Sequence, residues 1–132
     1  MSHLGRIVVE TSPGDLFDRI GILEIKAARI DDPAKRANVA HELGVLTATR
    51  DASVRPSVAL DRLAARLKEV NELLWEIEDD IRDCERAQDF GPYFIELARA
   101  VYRTNDDRAA IKREINDLLG AEIVEEKSYT DY

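Results

Sequence analysis

From Leu60 to Cys84 the chain reads "LDRLAARLKEVNELLWEIEDDIRDC", and Leu60, Leu63, Leu67, Val70, Leu74, Ile77, Ile81 and Cys84 recur at spacings of three and four without a miss. Only a helix brings such positions onto one side, and a mean spacing of 3.5 residues is the seam of a supercoiled pair. Ser57 stands ready as the N-cap. At 1.5 Å per residue, a helix from Val58 to Arg86 spans roughly 43 Å. A stripe of that length has to be buried against an equally long partner. "DFGP" at 89–92 marks a turn, and the stretch from Pro92 or Tyr93 to Leu119, closed by Gly120, supplies the partner.

The first half of the chain reads as a shorter hairpin. Ser12 caps a helix with Pro13 at its first position and Asp15 in its first turn, after which Leu16, Ile20, Leu23, Ala27 and Ile30 form one stripe. Asp32 and Pro33 open a second helix that carries Val39, Leu43 and Leu46 to about Arg50, where "DASVRPS" breaks it. The expectation is an all-α, up-and-down four-helix bundle forming a single domain over 1–132, with helices at about 13–30, 33–50, 57–87 and 92–119. Extended segments at 6–10 and 121–129 flank it. "RIVVE" at Arg6–Glu10 is β-branched enough for a short strand or an extended arm, and Ile123 and Val124 are expected to pair with it or to pack on the bundle end.

Charge narrows the function classes. Nineteen Lys and Arg against 27 Asp and Glu leave a net charge of −8, which disfavours attraction to nucleic acid or to an anionic membrane surface. No run approaches the length of a membrane span. The N-terminus lacks the order of a signal peptide, and the single cysteine, Cys84, cannot form an internal disulfide, so a cytoplasmic location is expected.

One residue breaks the apolar pattern of the fourth helix. Counting 100° per residue from Thr104, the residues Leu97, Val101, Ile111, Ile115, Leu118 and Leu119 fall within about 60°, and Arg108 lies at about 40°, inside their arc. Asn105 and Lys112 sit on its shoulder. A guanidinium placed there must be paired, because an isolated buried charge is expensive. Asn71 and Glu78 flank the seam of the third helix with Trp75 between them, and the first helix adds Lys26 on one shoulder and Glu24 on the other. Two readings follow. Arg108 pairs with Glu78 or Glu24 and fixes helix register, or Arg108, Lys112, Asn105, Asn71, Glu78, Trp75, Glu24 and Lys26 line a pocket for an anionic metabolite such as a sugar phosphate or nucleotide sugar.

Metal chemistry is weakly supported. Glu69, Glu72, Glu76 and Asp79 have the ExxE and ExxD spacing of magnesium-dependent nucleotide pyrophosphohydrolases, but all four lie on one helix and Glu69, Glu76 and Asp80 point away from the seam. A solvated acidic face is the better reading. His3 and His41 are the only histidines and neither follows a glutamate at the spacing of a ferritin-like centre. There is no glycine-rich phosphate loop, no metal site and no cofactor motif, and Cys84 reads as a small core residue.

The segments "SPGDLFDRIGILEIKAARI", "LKEVNELLWEIEDDIR", "ARAVYRTNDDRAAIKREIN" and "EEKSY" resemble an uncharacterised family of small bacterial helical proteins, a domain of unknown function often encoded beside glycosyltransferases for surface polysaccharide. The resemblance runs from Ile7 to Tyr129. It implies that Gly14, Asp18, Glu24, Lys26, Asn71, Trp75, Glu78, Asn105, Arg108, Lys112 and Asn116 belong to characteristic motifs, and that the acidic tail docks rather than frays. Where the family commonly has threonine, this chain has Gly21. The functional expectation is an interaction module that accompanies surface-glycan enzymes, a homodimer with a glycosyltransferase as possible partner. The alternative is a small enzyme or binder for an anionic metabolite, and magnesium-dependent nucleotide hydrolysis ranks last.

Overall fold

The structure, a computed structural model, describes residues 5–132; His3 lies outside them. Four helices follow one another as α1 (Pro13–Arg29), α2 (Pro33–Ser53), α3 (Val58–Ala87) and α4 (Pro92–Leu119). The fold is all-α, a four-helix bundle, and its caps are local chemistry. Ser12, Asp32 and Ser57 each accept a hydrogen bond from the backbone N–H three residues on, and proline occupies the first turn of α1, α2 and α4. Gly120 closes α4 in the left-handed region at φ 63°. α2 runs to Ser53 rather than stopping at Arg50, because only the residue before Pro56 is pushed out of the helical region, and that residue is Arg55. α3 ends on Gln88 at φ 55°, so the left-handed residue of this turn is a glutamine and not Gly91.

Cross-helix pairs set the directions. α4 is antiparallel to α3, with Arg66 to Glu114 near one end and the Tyr93 hydroxyl to Asp80 near the other. α1 runs parallel to α3, since Gly21 lies beside Lys68 and Arg29 beside Glu76. It is antiparallel to α4, through Asp15 with Lys112 and Asp18 with Arg108. The helices therefore alternate up and down. α2 meets α1 alone and buries only Val39, whereas α1 packs on α2, α3 and α4. That central position explains why Leu16, Phe17, Asp18, Ile20, Gly21, Leu23 and Ile25 are all buried, on more than one face of a single helix.

The core has two parts. Around α1, Phe17, Leu60, Leu67, Ile111 and Ile115 pack together, with Ile115 fully enclosed. Farther along, Ile77, Cys84 and Leu97 form a second cluster against Ile81, Phe94 and Val101, supplied by α3 and α4 only. The last pairing of α1 with the long hairpin is at Trp75 and Glu76, so about ten residues of each long helix extend past it. The N-terminal arm corrects the strand expectation. Among the described residues there is no strand, Ile7, Val8 and Val9 are 74–81% exposed, and neither Ile123 nor Val124 pairs with them. With no sheet edge beside it, a β-branched run has nothing to which it can donate.

Candidate functional site

Arg108 is paired, and its partner is neither Glu78 nor Glu24. Its Nε donates to Oδ1 of Asp18 at 2.9 Å and its Nη2 bonds Oδ2 of the same carboxylate, a two-point clamp between α4 and α1. Asn71 on α3 donates its amide to Asp18 Oδ1 at 2.8 Å. The Asp18 side chain is 5% exposed and that of Arg108 30%, so the carboxylate is enclosed while part of the guanidinium meets solvent. Hydrogen bonding to Asp18 raises the Arg108 pKa against the opposing effect of burial, which keeps it charged at every accessible pH. The network ties three helices with one carboxylate, and among the described residues no buried side-chain polar atom lacks a partner.

One turn along α4, a second polar tie forms around Lys112, whose side chain is 12% exposed. Its ammonium lies 2.7 Å from Asp15 on α1 and 2.8 Å from Glu125 in the C-terminal tail. Burial pulls its pKa down, but the hydrogen bonds to the two carboxylates outweigh that, and the net shift is upward. Next to it Gly14 donates its backbone N–H to Oδ1 of buried Asn116 at 2.7 Å, and a Cβ on Gly14 would stand 2.6 Å from the Lys112 carbonyl oxygen. Glycine is required there because the α1 start lies directly on the α4 backbone.

The tail docks. Residues 121–132 turn back along α4, with Glu125 on Lys112 and Glu126 on Arg113 (3.4 Å) at one end. At the other end the Tyr132 hydroxyl donates to Asp106, and the Tyr132 ring lies 5.1 Å from that of Tyr102. The bond to Asp106 raises the Tyr132 pKa. Between these anchors the tail spans a cleft of about 1080 Å³ that includes Tyr102, Asn105, Arg108, Lys127 and Tyr129 in its walls. A second cleft, of about 580 Å³, runs over the other side of Arg108 and Asn105 to Asn71, Trp75, Glu78 and Arg82.

Of the residues singled out from sequence, five thus converge: Asn71, Trp75, Glu78, Asn105 and Arg108 line one cleft. Glu78 spends its carboxylate on Arg82, one turn along its own helix, and Trp75 lies under the Arg29 guanidinium at 5.8 Å from its ring centroid. Three do not join them. Glu24 is exposed on another face of α1, 4.0 Å from Lys68, and Lys26 is half-buried away from Arg108. Lys112 lines a separate small cleft beside the tail. Asp18 carries the cluster, and it was not among the residues expected to do so. Its signal lay in the second apolar stripe of α1, where Ile22 and Ile25 follow Asp18 at four and three residues.

The acidic face of α3 is solvated: Glu69, Glu76 and Asp79 are exposed, and among the described residues no group of three or more His, Cys, Asp or Glu side chains converges. Cys84 is buried, and burial first, then the charges of Asp89, Asp80 and Asp83, raise its pKa, so it is a thiol rather than a thiolate nucleophile. Among the described residues no helix is long and apolar enough to cross a membrane. No curated protein and no solved structure matches the chain. The model described as "Family of unknown function (DUF6165)" matches residues 7–132, nearly the whole chain, and the protein belongs to that family.

Proposed function

We propose that this protein is a non-catalytic interaction module that self-associates through the far half of its α3–α4 hairpin and serves as an accessory to bacterial enzymes of surface-glycan synthesis. The observation that carries the reading is the second core cluster. Among the described residues, the hairpin beyond Trp75 is two helices with no third layer, and Ile81, Phe94 and Val101 remain only half-buried. A helix pair buries an apolar stripe completely only against another layer, and two such hairpins laid together make a four-helix bundle. Tyr93 and Ile95, 57% and 55% exposed, add apolar surface to the same half. The glycan context rests on the resemblance of the sequence motifs, with a glycosyltransferase as the partner it suggests.

The alternative pocket, in which Arg108, Lys112 and Lys26 together neutralise an anion, is less well supported, because the first two cations already have carboxylate partners and the third is elsewhere. Analytical ultracentrifugation at micromolar concentration tests the proposal. Wild type is expected to sediment as a dimer, and Ile81→Glu combined with Ile95→Glu as a folded monomer. A wild type that is strictly monomeric up to 100-fold higher concentration sinks the self-association.

A further inference from the structure

Residues 6–10, in the order Arg-Ile-Val-Val-Glu, favour a strand by composition, yet they lie outside every helix, with Ile7, Val8 and Val9 at 81%, 77% and 74% exposed. The arm leaves the bundle at a fixed point. Ser12, two residues after Glu10, is 1% exposed and caps α1, and the Gly14 N–H bonded to Asn116 holds that cap against the end of α4. Leu118, Ile123 and Val124, 38–46% exposed, belong to the same end of the bundle. Three adjacent β-branched side chains stand in water there, with no strand among the described residues to pair their backbone. Such a segment is an edge that a second strand can join.

The order of the five residues says what that second strand is. Arg6 and Glu10 carry opposite charges at equal distances from Val8, and both are exposed. Laid antiparallel about a two-fold axis at Val8, two copies set each Arg6 opposite the other's Glu10, each Ile7 opposite Val9, and Val8 opposite Val8. Opposite residues share a face, so Arg6, Val8 and Glu10 lie on one side of the ribbon, and Ile7 and Val9 of both strands make the other side wholly apolar. Other pairings are worse. A parallel ribbon in register sets Arg6 against Arg6 and Glu10 against Glu10, and an antiparallel slip by one residue sets Ile7 against Glu10. The segment is therefore self-complementary, as a contact between identical surfaces requires. Two strands alone are marginal in water, but the exposed Leu118, Ile123 and Val124 offer the apolar side a floor. We infer that the N-terminal arms of two copies pair as an antiparallel β-ribbon centred on Val8, a second self-contact at the opposite end of the bundle from the far half of the hairpin.

Five cross-strand pairs make a weak contact, with dissociation on the order of 0.1–1 mM, so it adds to the hairpin association only at high concentration. The test is sedimentation equilibrium of the full chain up to about millimolar concentration, in wild type and in the Ile81→Glu, Ile95→Glu variant. The hairpin variant is expected to pass from monomer to dimer over that range. Arg6→Glu and Glu10→Arg each weaken this step roughly tenfold, because each sets two like-charged pairs across the ribbon, and the two reversals combined restore it. Val8→Asp abolishes it by placing two carboxylates face to face on the axis. Positions 6, 8 and 10 are exposed, and an unchanged melting temperature shows that the variants fold. The same comparisons in wild type keep the result readable if the hairpin variant unfolds. Association that survives Val8→Asp and is lost in the hairpin variant belongs to the hairpin, so the two contacts fail separately. The inference is overturned if the charge swap does not restore what the single reversals remove, if Val8→Asp associates like its parent, or if the folded hairpin variant stays monomeric at millimolar concentration.

Discussion

The half of the molecule around α1 and the half beyond it are built from the same two long helices and solve burial differently. Near α1, three helices enclose not only Leu67 and Ile115 but also a carboxylate, an amide and half a guanidinium, all mutually hydrogen-bonded. Beyond Trp75, two helices hold Ile77, Cys84 and Leu97 with no polar network among them. The contrast shows what the third helix is for. A buried charge pair requires walls on all sides to be distinct from a surface salt bridge, and only α1 provides them. The apolar hairpin tolerates an open side because exposed aliphatic surface costs far less than a desolvated, unpaired charge.

Removing Asp18 breaks that comparison most severely. Asp18→Ala leaves Arg108 and Asn71 without their acceptor and is expected to cost about 3 kcal/mol in urea unfolding, the low end for a broken buried pair because Arg108 keeps some solvent. Replacing Asp18, Asn71 and Arg108 together by Leu, Leu and Met should be close to neutral, since no orphaned group remains. If the single variant is as stable as wild type, the cluster is not what joins the three helices.

Gly14→Ala comes next. Its Cβ would meet a backbone carbonyl 2.6 Å away, and the expected loss is roughly 1–3 kcal/mol as α1 is pushed off α4. Thermal unfolding checks it, with Gly21→Ala as the control from the same helix. There a Cβ would lie 3.9 Å from Lys68, an ordinary contact, so helix propensity decides and the gain is about 0.5–1 kcal/mol. In the far half, Gln88→Gly relieves a left-handed glutamine and should add about 1 kcal/mol in the same assay.

The smallest effect concerns the tail. Because the Lys112 pKa is raised above the unfolded value, the native state binds its proton more tightly, so the stabilisation is present at neutral pH and below. It is lost as pH rises through the folded value, from about 10.4 upward. Glu125→Gln removes one of the carboxylates responsible, and its melting temperature should therefore fall less steeply than that of wild type above that pH. Parallel slopes would mean that the tail contact contributes nothing to Lys112.

Much of this was legible in the residues. Ser12, Pro13, Ser57 and Gly120 mark helix ends through interactions spanning a few residues, and the seam from Leu60 to Cys84 identifies a long helix needing a long partner. Arg108 stood out as a charge inside an apolar arc. Its partner did not, because a helical wheel orders the residues of one helix and is silent on which face of α1 the chain turns toward α4. The β-branched arm at Ile7–Val9 misled for a related reason: strand propensity becomes structure only when another strand is there to receive it.

Helix positions, caps, the apolar seam and the presence of one misplaced arginine were determined by the sequence alone, since each depends on neighbours within about a turn of the chain. The choice of Asp18 over Glu78 and Glu24, the requirement for glycine at position 14 and the arch of the tail over α4 were decided by tertiary structure. Asp18 and Arg108 are 90 residues apart, and only the packing of α1 into the α3–α4 groove brings that carboxylate to that guanidinium.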